Sequence, residues 1–167
     1  MRFAAFLCCP RIVIASALLV LPTSAWGSDS PSARATLKGI TELQVVVETI
    51  DPEVERHGLT QVQLQTDLEL RLTQAGIKVV SSAPASLCVN IQFMRIMLYR
   101  VYAYWLEVAI RQPVRLDRDL RLSHVAAPTW SLSGSGVIPP QRVRELRSRV
   151  IEQVDQFISA YLKQNPK

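Results

Sequence analysis

Two neighbouring stretches of alternating residues constrain this chain more than any other feature. From Ser86 to Leu98, Leu87, Val89, Ile91 and Phe93 alternate with Cys88, Asn90 and Gln92. From Val101 to Ile110, Tyr102, Tyr104, Leu106, Val108 and Ile110 alternate with Ala103, Trp105, Glu107 and Ala109. Successive side chains of a strand point to opposite faces, so each run presents one face to a core. The short link at Tyr99-Arg100 predicts that the two runs pair as a hairpin.

Two amphipathic helices are available to cover such a sheet. In Leu59–Ile77, Thr60 and Gln63 have the spacing of a capping box, with Leu59 and Leu64 as the hydrophobic staple. Leu64, Leu68, Leu72 and Ala75 form one apolar stripe, and Gly76 followed by Ile77 supplies a Schellman ending. The second helix follows Pro139-Pro140, with Val143, Leu146, Val150, Val154, Phe157 and Tyr161 recurring every three or four residues. Arg142, Arg144, Arg147 and Arg149 crowd its first turns, the unfavourable end for positive charge. That placement suits either an acidic partner or a solvated face compensated by Glu145 and Glu152.

The remaining segments complete a sheet of about five strands. Ile40–Thr49 alternates as a half-buried strand, and Ile50–Gly58 reads as a loop because its charges have no apolar period. Ile77–Ser81 is a short strand, parallel or antiparallel to the first; the connection length suits a right-handed crossover. Pro113 is expected to loosen or end the second strand of the hairpin, leaving Val114–Leu122 as a guarded edge strand or a protruding charged loop. After an interruption at 123–128, Thr129–Ile138 is a further strand. Its Gly134 and Gly136 suggest a bend or a close backbone approach. The fold class is therefore α+β, one mixed or mainly antiparallel sheet with two helices on one face, in the order β-α-β-β-β-β-α.

Residues 1–27 stand apart from this pattern. Arg2 and Arg11 precede the apolar run Ile12–Leu21, which ends in small residues at Ala25-Trp26-Gly27, the layout of a secretory signal peptide. The run is about half of the roughly 20 residues that a spanning helix needs. Cleavage near Gly27-Ser28 would leave a polar, flexible leader over 28–38, a single domain over 39–165, and a periplasmic or secreted protein with no transmembrane segment. Cys8 and Cys9 leave with the signal, so Cys88 has no internal disulfide partner, and its place in a strand suits a small buried thiol.

Charge is unevenly divided. Without Arg2 and Arg11 the formal net charge falls from +5 to +3. Residues 28–94 carry five basic and eight acidic side chains, and residues 95–167 carry twelve and six. For an exported protein, a basic half points to an acidic envelope protein or an anionic lipid surface and away from nucleic acid.

Chemistry-bearing constellations are scarce. His57 and His124 lie far apart with no matched carboxylate spacing, so neither a metal site nor a catalytic residue is expected. Ser133-Gly134-Ser135-Gly136 has neither the G-x-S-x-G pattern of a nucleophile elbow nor the lysine of a phosphate loop. No cofactor is implied. Tyr99, Tyr102, Tyr104 and Trp105 fall within seven positions and suit either an apolar ligand groove or cross-strand packing.

The order strand, helix, several strands, helix behind a signal peptide resembles the small α+β domains of the bacterial envelope. These include the lipopolysaccharide-assembly lipoprotein E, the auxiliary components of ABC transporters and the N-terminal domain of the Tol-system propeller protein. The chain departs from the lipoproteins in having no cysteine at the end of its signal segment. The resemblance implies a non-enzymatic periplasmic accessory protein; the uneven charge adds the expectation that it contacts an envelope component through its basic half, with Arg142, Arg144, Arg147 and Arg149 as the contacts. A carrier of a small apolar ligand or lipid, built on the aromatic cluster, is the alternative expectation.

Overall fold

The computed structural model describes residues 28–116 and 119–166, and the expected signal peptide over 1–27 lies outside them. The fold is α+β, with one mixed five-stranded sheet. The elements are α1 (Pro31–Ala35), β1 (Glu42–Val47), α2 (Pro52–Glu55), α3 (Gln61–Gln74), β2 (Lys78–Val79), β3 (Ser86–Ile96), β4 (Val101–Leu116), β5 (Asp119–Ile138) and α4 (Leu146–Gln164). One 3-10 turn, Met97–Tyr99, links β3 to β4, and another, Pro140–Glu145, leads into α4.

The Thr60 half of the α3 capping box and its glycine ending form as the sequence requires. The Thr60 side chain accepts a hydrogen bond from the Gln63 amide at 3.3 Å, and Leu59 and Leu64 are both buried. At the other end Gly76 has φ 79°, which frees its N–H to reach the Thr73 carbonyl while the Ile77 N–H reaches that of Leu72. The chain thus turns sharply into β2, which lies parallel to β1 and at the edge of the sheet.

The strand order is β2-β1-β3-β4-β5, with β1 and β3 parallel and the β3-β4 and β4-β5 pairs antiparallel. Register places Val45, Leu87, Ile110 and Trp130 in one row and Val47, Val89, Val108 and Leu132 in the next. All eight side chains face the helices and are buried. Leu64, Leu68 and Leu72 of α3 and Val150, Val154 and Phe157 of α4 close over them at 0% exposure. Trp130 and Phe157 meet with ring centroids 5.3 Å apart, and the Tyr161 hydroxyl donates to the Ile40 carbonyl at 2.6 Å. Ion pairs Arg71–Asp155 and Arg147–Asp67 tie α3 to α4 at the surface.

Three expectations are corrected. Residues 28–38 do not form a loose leader: Ser30 and Pro31 start α1, and Ala33 and Leu37 are buried. Trp130 Nε1 and Arg34 Nε both donate to Asp29 Oδ1, at 2.8 and 2.7 Å, which pins this segment to β5. The 50–58 loop contains α2, capped by the Asp51 carboxylate, and its Val54 enters the core. Finally, β4 continues through Pro113 and β5 through 123–128, so Val114–Leu122 is not a separate strand. Pairing of β3 ends at Ser86 opposite Arg111, and beyond it no strand among the described residues pairs with that side of β4, where proline is tolerated. A register shift between Ile110, opposite Trp130, and Arg111, opposite Pro128, leaves Thr129 as the extra residue of a bulge.

Gly136 passes beneath the Tyr104 ring, where an added Cβ would lie 2.8 Å from the hydroxyl oxygen and 3.0 Å from two ring carbons. Gly136→Ala should therefore lower stability by about 1–3 kcal/mol, the usual cost of overpacking, measured by urea denaturation.

Hydrogen bonds from Arg34 hold the Asp29 carboxyl below its ordinary value of 3.8; burial opposes this and Trp130 adds to it. A carboxyl depressed in the folded state contributes fully above its unfolded value and loses that contribution as pH falls through the folded one. Stability should consequently decline with acid below about pH 3.8. Asp29→Asn should flatten that part of the decline in urea midpoints measured on either side of this value.

Candidate functional site

Alternation along β3 and β4 puts every second side chain on the sheet face turned away from the core. On the uncovered face Met94 lies beside Ala103, which lies beside Val137, and Ile96 lies beside Val101. Met94 is 66% exposed and Val137 63%, and Trp105 is partly exposed one row further in. The 3-10 turn at the tip adds Met97, Leu98 and Tyr99 at 71, 82 and 71% exposure. These side chains form one apolar end of the molecule, and Arg95 and Arg100 flank the turn.

On the helix-covered side of the same end is a cleft of about 530 Å³, lined among others by Glu53, His57, Arg95, Arg100, Tyr102 and Gln141. It exists because α2, the β3-β4 turn and the 3-10 turn at Pro140 converge there. Glu53 Oε1 accepts from Arg95 Nη1 at 2.8 Å and from the Tyr102 hydroxyl at 3.1 Å. Burial, followed by the hydrogen bond to Glu53, pushes the Tyr102 phenol above its usual value and keeps it a neutral donor. The His57 ring sits 5.9 Å from that of Tyr102.

The four C-terminal arginines are not equivalent. Arg142 makes a two-pronged pair with Glu145, at 2.8 and 2.7 Å, and Arg147 a similar one with Asp67. Arg149 stands over the Tyr104 ring, 5.9 Å from its centroid. Arg144 has no carboxylate within ion-pair distance among the described residues. Its Cβ would be 3.7 Å from a Cβ placed on Gly58, so Arg144 adjoins the His57 loop. Sequence crowding at this helix start is thus relieved by intramolecular pairing at Arg142 and Arg147.

Nor does the structure gather the aromatic cluster into one groove. Tyr102 and Tyr104 face the helices and are buried, at 4 and 6% exposure. Trp105 points to the opposite face, as strand alternation demands, and Tyr99 belongs to the exposed turn. Cys88 is a buried free thiol next to Ser86. Among the described residues no group of three or more His, Cys, Asp or Glu side chains is arranged to hold a metal ion.

The apolar end was legible in one respect that strand periodicity conceals. Met97-Leu98-Tyr99-Arg100 closes a hairpin without the glycine, asparagine, aspartate or proline that turns ordinarily use. Comparison with protein families and with curated proteins adds nothing to this geometry, since no family model matches the chain and no curated protein matches it.

Proposed function

We propose that this protein is a non-enzymatic, exported accessory protein that docks onto another component of the cell envelope through the β3-β4 end of its sheet. The observation carrying the reading is the apolar turn Met97–Tyr99, exposed and flanked by arginines. Exposed apolar groups at a contiguous site are the ordinary mark of an interaction surface, and the flanking cations select acidic or anionic partners. Export rests on the signal-like character of residues 1–27. The docking surface in this reading differs from the one the arginine run suggested: Arg144 remains part of it, while Arg142 and Arg147 are held by Glu145 and Asp67.

A photo-crosslinking side chain at position 98 tests the reading. It should capture an envelope component, in a manner weakened by salt, whereas the same group at exposed Gln156 on α4 should not. Equal capture from both positions, or none from position 98, contradicts it.

A further inference from the structure

We infer that the partner at this end is an anionic glycerophospholipid bilayer: the cleft beside the turn receives a lipid phosphate while Met97, Leu98 and Tyr99 enter the headgroup region. The inference rests on the docking reading above and names its partner. Shape supports a bilayer. Leu98 and Tyr99 project from the end of a strand pair and line no part of the cleft, and a lipid surface accepts projecting apolar groups without a matching hollow. Tyrosine suits the depth at which headgroups meet acyl chains, and long arginine side chains reach back from there toward phosphate.

Charge points the same way. Among the described residues lining the cleft, Glu53 is the one carboxylate, and Arg95 and Tyr102 already engage it. Arg100 has no carboxylate within ion-pair distance among the described residues, so the cleft retains an uncompensated positive charge. Arg144 adds another close by, beside Gly58. Gln141 and His57 supply further polar groups for phosphate or headgroup oxygens. Met97 and Val101 line the cleft as well, so its wall runs on into the apolar turn. A lipid, apolar at one end and anionic at the other, matches that sequence of surfaces.

The backbone at Arg100 is a separate observation. Its φ of 51° and ψ of 42° are left-handed, and it is the one non-glycine residue with positive φ among the described residues. Glycine or asparagine occupies that region at less cost, yet the position carries an arginine at the cleft. Such an outlier is expected where a side chain has work that its backbone preference opposes.

The test uses a chain beginning at Ser28, which contains every buried side chain of the core described above. It should bind vesicles of phosphatidylcholine mixed with phosphatidylglycerol, bind pure phosphatidylcholine much more weakly, and be released by salt. Leu98→Asp should weaken binding about tenfold or more, and Arg100→Gln about fivefold, with circular dichroism unchanged. Lys78→Gln, at the far edge strand, should bind as the parent does.

Equal binding to neutral vesicles, or unaltered binding by either variant, overturns the inference. So does release by millimolar glycerol phosphate, which would make the ligand a soluble anion. Failure to bind any vesicle, with crosslinking to an envelope protein intact at position 98, overturns the lipid assignment alone. Loss of both overturns the docking reading with it.

Discussion

Phe157→Ala should lower the stability of the protein by about 3–5 kcal/mol, the range for deleting a large aromatic side chain from a packed core. Phe157 is fully buried and touches Trp130 on one side and Tyr161 on the other, at ring-centroid distances of 5.3 and 6.0 Å. It therefore joins α4 to the strand that carries Trp130, and through Trp130 to Asp29 and the first helix. A domain of this size has about 5–15 kcal/mol in all, so the loss is a large fraction of the total. Urea denaturation should show a lower midpoint at an unchanged slope, because the cavity alters stability and not the surface exposed on unfolding.

Replacing Met97 and Leu98 together by aspartate should produce the opposite pattern. Both side chains are more than two-thirds exposed, so stability should stay within about 0.5 kcal/mol of the parent and the urea midpoint should barely move. Retention of envelope components should nevertheless be lost. Two apolar contacts disappear, and the two new carboxylates repel an anionic partner beside Arg95 and Arg100. A midpoint that falls together with retention would mean that the turn is structural, and retention that survives would remove it from the docking surface.

How far the sequence revealed this molecule depends on how local each determinant is. The ends of α3 were readable because Thr60, Gly76 and Ile77 act within a few residues of where they stand. The strands β3 and β4 were readable from alternation, and the close approach suggested by the glycines is met at Gly136 under Tyr104. Helix α1 was missed because its anchors are distant: Asp29 finds Trp130, and Leu37 finds a core assembled by the rest of the chain. Pro113 misled because its effect depends on whether a neighbouring strand is present, which composition does not state.

The candidate site follows the same division. The arginine run was visible in sequence, but the partners Glu145 and Asp67 that occupy Arg142 and Arg147 differ in how far away they are. Glu145 was visible three residues on, whereas Asp67 arrives only through the packing of α3 against α4. Proximity of Tyr102, Tyr104 and Trp105 in the chain concealed their separation across the sheet, since adjacent strand residues face opposite ways. The cleft itself draws on α2, the β3-β4 turn and the turn before α4, three segments that no sequence window joins.

Backbone hydrogen exchange, with and without envelope membranes, tests the central claim most directly. Amides of the Met97–Tyr99 turn lie beyond the paired ends of β3 and β4 and should exchange quickly in the free protein. Docking through this end predicts that membranes slow exchange across this turn and in α2 beside the cleft, while the exposed face of α4 around Gln156 is unchanged. Protection confined to α4, with the turn exchanging as in the free protein, would contradict it.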